Sequence, residues 1–130
     1  MQNHKTILVI DDEAHIRRVI EFKMKKRGYR VLTAPDGEAG LKIIRAEHPD
    51  VVITDIMMPK IDGRTLCEMI NGLEDDRPLL TIVMTCRISH DERIWVEAMT
   101  DTIFMEKPFS PSLLVDSVEN YFSRPQVNRC

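Results

Sequence analysis

The chain has 130 residues, 43% of them hydrophobic and 30% charged, with a net charge of −3. That length suits one domain and leaves no room for a second, and the mildly acidic balance argues against direct nucleic-acid binding. Three widely spaced cysteines, Cys67, Cys86 and Cys130, form neither a C-x-x-C pair nor a zinc-type spacing, which fits reduced thiols in a cytoplasmic setting.

In chain order, the apolar run Thr6–Ile10 is predicted to be a buried strand that ends at Asp11-Asp12. It is too short for a signal peptide or a membrane span. Ala14–Arg27 is predicted helical: Ile16, Val19, Ile20 and Met24 share one arc, Phe22 lies off it, and Gly28 stands where a helix-ending glycine belongs. The basic cluster Lys23, Lys25, Lys26, Arg27 and Arg30 is read as a solvated face. Arg30–Ala34 is the second predicted strand, and Asp36 is the expected N-cap of a helix over Gly37–Glu47. Gly40 weakens that helix on propensity, so close packing against the sheet is its expected reason. Val51–Thr54 is the third predicted strand and runs into Asp55.

A loop with Pro59 and Gly63 then leads to a third predicted helix that ends near Gly72. Leu79–Met84 is the fourth predicted strand, Asp91–Met99 a fourth helix with Trp95 read as core, and Thr102–Met105 the fifth strand, leading to Lys107-Pro108. Ser110-Pro111 starts the last helix, in which Leu114, Val118, Tyr121 and Phe122 form the expected buried stripe. His4, His15, His48 and His90 share no spacing and are read as surface or capping residues.

Apolar strands alternating with helices predict an α/β fold: a doubly wound, five-stranded parallel sheet with five helices, covered on both faces. Ligands of such sheets bind beyond the C-terminal strand ends. There the sequence places Asp11 and Asp12 after the first strand, Asp55 after the third, Thr85 after the fourth and Lys107 after the fifth. Crowded carboxylates repel one another and call for a cation, and an all-oxygen donor set suits a hard ion such as Mg²⁺. A nearby lysine and hydroxyl suit a phosphoryl group, and a carboxylate can itself be the nucleophile that forms an aspartyl phosphate.

The segments VIDDE (9–13), TDIMMPKIDG (54–63), MT (84–85) and EKPF (106–109) occur in the order and spacing of response-regulator receiver domains, and the chain resembles that family from about Lys5 to Phe122. The resemblance implies a flavodoxin-like sheet of strand order 2-1-3-4-5. It also implies a receiver domain over residues 1–122 followed by a polar tail, 123–130. It makes Asp55 the phosphoacceptor, Asp12 a direct Mg²⁺ ligand beside Asp55, Asp11 a ligand through water, and the Met57 backbone carbonyl the third protein ligand. Lys107 would pair with the acceptor and then with a phosphoryl oxygen, Thr85 would be drawn to the phosphoryl group, and Phe104 would be the aromatic switch. Pro108 matches a proline after a cis peptide bond.

The implied role is a signalling switch, not a metabolic enzyme, with slow self-dephosphorylation. Its expected partners are a sensor histidine kinase or phosphotransfer protein, and a downstream target on the face of the fourth helix, fifth strand and last helix. No contact with nucleic acid or membrane is expected.

The sequence departs from the family pattern in three places. Cys86 stands where alanine is common, Met57 stands where a polar side chain could orient water, and Met99–Thr102 replaces a usual Gly-Ala pair. The first two predict a long-lived phosphorylated state. An aspartyl-phosphate phosphatase of the haloacid-dehalogenase class would want an acid at position 57. A flavin carrier would want a phosphate loop where Asp11-Asp12-Glu13 stands, and a phosphorylation-independent pseudo-receiver would have lost acids or the lysine.

Overall fold

The computed structural model describes residues 5–55, 65–66, 80–85, 94, 102–107 and 110–123, with Thr85 described by its backbone. The elements are β1 (Thr6–Ile10), α1 (Ala14–Lys26), β2 (Arg30–Ala34), α2 (Gly37–Glu47), β3 (Val51–Asp55), β4 (Leu80–Thr85), β5 (Thr102–Glu106) and α3 (Pro111–Ser123). All five strands are parallel, in the order β2-β1-β3-β4-β5. This is the expected doubly wound sheet. Of the predicted third and fourth helices, Thr65 and Leu66 and then Ile94 are described, all helical. Trp95, Met57, Cys86, Pro108, His90 and the stretch 99–101 lie outside the described residues.

Side chains alternate across a strand, so β1, β2 and β3 each feed two cores. Ile7 and Val9 of β1, Val51 and Ile53 of β3, and Ile82 and Met84 of β4 pack with Ile20 and Met24 of α1 and with Leu114, Val115, Val118 and Tyr121 of α3. Leu8, Ile10 and Val52 point the other way and pack with Leu41 and Ile44 of α2 and with Leu66. The central strands are therefore apolar on both faces, which is why they read as unbroken hydrophobic runs.

β1 and β2 end where predicted, whereas β3, β4 and β5 run one residue past their apolar runs, because the backbone ladder continues through Asp55 opposite Met84 and Thr85 opposite Glu106. Hydrogen bonding along the ladder does not depend on side-chain polarity. Val19 is not part of the buried arc. It is 42% exposed, because it sits about 100° around α1 from Ile20 and clears the edge of the contact. Phe22 is exposed, as expected, with Lys26 Nζ 5.1 Å from its ring centroid. Val115 joins the buried stripe of α3, where Phe122 is only half-buried and sits 6.0 Å from Tyr29, centroid to centroid.

The caps follow the sequence. The Asp36 side chain accepts from Ala39 N at 2.8 Å, and Ser110 Oγ accepts from Leu113 N at 3.3 Å. Gly28 has φ +91° after α1, and His48, at the C-cap of α2, takes the left-handed region at φ 50°.

Gly40 packs against the sheet as expected. A Cβ there would collide with Ile10 Cδ1 and lie 2.9 Å from Ile10 Cγ1. Ile10 is fully buried, so its side chain can move aside only by displacing its neighbours in the core. Gly40→Ala is therefore expected to destabilise by up to about 2 kcal/mol net, an overpacking cost of about 1–3 kcal/mol outweighing the roughly 1 kcal/mol that alanine adds to helix propensity. Ile10→Val should recover part of the loss. Thermal unfolding of the single and double variants checks both statements, and a Gly40→Ala protein as stable as wild type contradicts them.

Candidate functional site

The sheet register brings the acidic strand ends together. Ile10 lies opposite Thr54, so the next residues, Asp11 and Asp55, stand side by side at the C-terminal ends of adjacent strands. Period-two alternation puts Asp11 with Ile7 and Val9, Asp55 with Val51 and Ile53, and Lys107 with Met105, all toward the face that α1 and α3 cover. Met84 is opposite both Asp55 and Met105, and Lys107 follows two residues on. Its side chain therefore reaches back past β4 to Asp55.

Lys107 Nζ donates to Asp55 Oδ2 at 2.9 Å and to Asp11 Oδ2 at 3.3 Å. Asp11 is fully buried and Asp55 nearly so, and 11% of the lysine side chain is exposed. A cation and two carboxylates are thus held largely out of water, where removing the lysine would leave both carboxylates uncompensated. Burial pushes the Asp11 carboxyl above the usual range, against the opposing pull of the Glu13 backbone N–H and of Lys107, and the Asp55 charge adds to the rise. Burial alone would lower the Lys107 ammonium, but its hydrogen bond to Asp55 and the charges of Asp11 and Asp55 outweigh that and hold it above the ordinary lysine value.

One carboxylate oxygen from each of Asp11, Asp12 and Asp55 lies within 4.8 Å of the others. The donors are all carboxylate oxygens, the chemistry of a hard divalent cation. The three acids are not equivalent. Asp11 Oδ1 already accepts from Glu13 N at 2.9 Å and its Oδ2 from Lys107. Asp12 is exposed, so a hydrated ion arriving from solvent meets its carboxylate first. The donor set fits Mg²⁺.

Phe104 is half-buried in β5 opposite Val83, two residues before the level at which Thr85 faces Glu106. The backbone thus places the two proposed switch residues on adjacent strands. The Met57 carbonyl lies outside the described residues.

Besides the bond from Lys107 to Asp11, two contacts were not foreseen from the sequence. Glu13 Oε1 lies 3.8 Å from Lys107 Nζ, but its side chain is half exposed, and such pairs contribute about 0–1 kcal/mol. Arg17 Nη1 donates to the Asp11 backbone carbonyl at 2.6 Å, across the β1–α1 junction. The available signal was spacing: Arg17 lies one helical turn beyond Glu13, which turns its side chain back toward the strand end.

The family described as response regulator receiver domain matches residues 7–119 of the chain. A protein named Probable transcriptional regulator ycf27, from Cyanophora paradoxa, is 39% identical over 124 residues, covering 95% of this chain and 51% of that protein. The alkaline phosphatase synthesis transcriptional regulatory protein PhoP of Bacillus subtilis is 32% identical over 124 residues, with the same coverage of 95% and 51%. The chain thus spans about half the length of these curated relatives. Among solved structures, the receiver domain of Francisella response regulator 1452 superposes with a TM-score of 0.82 at 27% identity, covering 93% of this chain and 98% of that one. With a family match over nearly the whole chain, relatives aligned over 95% of its length and the same doubly wound sheet, the chain belongs to the response-regulator receiver domain family of two-component signalling.

Proposed function

We propose that the domain is a phosphorylation switch in which Asp55 accepts a phosphoryl group from a phosphohistidine on a sensor kinase or phosphotransfer protein. The observation that carries this reading is the direct bond from Lys107 to Asp55, beside two further carboxylates with no second lysine or arginine bonded to their side chains among the described residues. An Asp55 oxygen attacks phosphorus, the Asp–O–P bond forms as the P–N bond to histidine breaks, and the histidine leaves with that electron pair. Lys107 moves from the carboxylate to a phosphoryl oxygen, keeping an anionic partner throughout.

Asp12, Asp55 and the Met57 carbonyl would hold Mg²⁺, with Asp11 acting through water. When bound, the ion would offset negative charge on the phosphoryl oxygens. Thr85 and Phe104 would carry the change toward the face of the fourth helix, β5 and α3, where a downstream partner docks. Relatives named as transcriptional regulators, twice the length of this chain, support an output in gene control exerted beyond this domain. No described helix is long and apolar enough to cross a membrane, in keeping with a cytoplasmic setting.

Incubation with acetyl phosphate and Mg²⁺ is expected to add one phosphoryl group per chain by intact mass, and a chelator should prevent it. A chain that stays unmodified with both present, while a known receiver domain is modified in parallel, contradicts the proposal.

A further inference from the structure

The polar atoms of Asp11 are all committed. Its N–H donates to Ala34 O at 3.2 Å, Oδ1 accepts from Glu13 N at 2.9 Å, and Oδ2 accepts from Lys107 at 3.3 Å. Its carbonyl accepts the shortest of these bonds, 2.6 Å, from Arg17 Nη1. A guanidinium at the edge of an acidic site would ordinarily be drawn to a carboxylate, yet here it holds a backbone oxygen. That oxygen belongs to the Asp11–Asp12 peptide. A peptide group is planar, so fixing its carbonyl fixes the plane that enters Asp12 and the place of the Asp12 Cα from which its side chain branches. Asp12 itself is exposed and lies in the loop between β1 and α1.

We infer that Arg17 is a positioning residue for the cation site: by holding the Asp11 carbonyl it aims the Asp12 carboxylate at the place where Asp11 and Asp55 converge. This rests on the Mg²⁺ site proposed above. Arg17 is well placed for the task. It is half-buried on the first turn of α1, and its own N–H donates to Glu13 O at 3.2 Å, so helix and loop are closed at both ends of the side chain. The bond reaches across six residues and anchors the start of α1 to the end of β1.

The sign of the effect separates positioning from simple charge. A fixed guanidinium near a cation site opposes cation binding by Coulomb repulsion, so its removal should tighten binding if charge is all it contributes. A positioning role requires the opposite. Arg18 is exposed, carries the same charge one residue further on, and serves as the control.

The experiment is calorimetric titration of Mg²⁺ into the full chain as wild type, Arg17→Met, Arg17→Lys and Arg18→Met, with metal-free thermal unfolding to confirm the fold of each. Loss of a group that orients a metal ligand weakens affinity by about ten- to a hundredfold. Arg17→Met is expected to raise the Mg²⁺ Kd by about tenfold, with Arg17→Lys, which keeps the charge and one donor, in between and Arg18→Met unchanged or slightly tighter. If Arg17→Met fails to fold, a weakened Arg17→Lys beside an unweakened Arg18→Met supports the inference on its own. Wild-type or tighter binding by the folded Arg17 variants overturns it, as does equal weakening by Arg17→Met and Arg18→Met. Wild-type protein that takes up no Mg²⁺ fails the proposed cation site itself, and this inference with it.

Discussion

Asp55→Asn is expected to take up no phosphoryl group from acetyl phosphate and Mg²⁺ under conditions that modify every wild-type chain. The reason is electronic. An amide oxygen is a poor nucleophile and carries no charge for Lys107 to exchange for a phosphoryl oxygen. The substitution is nearly isosteric, and Lys107 keeps Asp11 as an anionic partner at 3.3 Å. It also removes one member of a crowded acidic cluster. The fold should therefore survive, with metal-free stability equal to or above that of wild type. Loss of labelling in a protein that melts no lower than wild type places the effect on chemistry. Labelling at the wild-type rate would show that another group is the acceptor.

The second large effect is expected at Asp12. Its carboxylate is exposed and packs little, so Asp12→Ala removes charge without opening a cavity. Metal-free melting should stay the same or rise, because the remaining carboxylates repel less. Ligand linkage gives the other half of the comparison. Mg²⁺ at a hundred times its Kd should stabilise the wild type by about 2.7 kcal/mol, and Asp12→Ala should gain almost nothing at the same concentration. Phosphorylation should be lost in parallel. Melting curves with and without Mg²⁺, together with intact mass, check both halves. An Asp12→Ala protein stabilised by Mg²⁺ as much as wild type contradicts the role given to this residue.

The parts of the fold that were legible in the sequence are those governed by local chemistry. Gly40 inside a helix announced a close approach, and the partner is Ile10. Asp36 and Ser110 cap helices as their residue types suggest. Strand order followed from family resemblance, because apolar runs alone do not say which strands are neighbours.

Edges were harder to read. Val19 lies on the periodic arc yet outside the contact, since a helix buries only the width that its neighbour covers. Val115 was missed for the converse reason: α3 is covered across a wider arc than its four expected residues span.

At the site, the sequence named Asp11, Asp12, Asp55 and Lys107 by their place at strand ends, and the register brings them together. The resemblance implied the pairing of Lys107 with Asp55 but not its second bond, to Asp11, which depends on a side chain reaching across β4. Nor did it show that Arg17 holds a carbonyl, because backbone acceptors leave no mark in residue type.

The central claim is that Asp55 carries the phosphoryl group, and the position of the acyl phosphate tests it most directly. An acyl phosphate is reduced by borohydride to an alcohol, whereas an unmodified carboxylate is not, so a phosphorylated aspartate is converted to homoserine. Wild-type protein incubated with acetyl phosphate and Mg²⁺, then reduced, digested and sequenced by mass spectrometry, should carry homoserine at position 55 and aspartate at positions 11 and 12. Homoserine at another aspartate, or the corresponding alcohol at a glutamate, with aspartate intact at 55, would contradict the account.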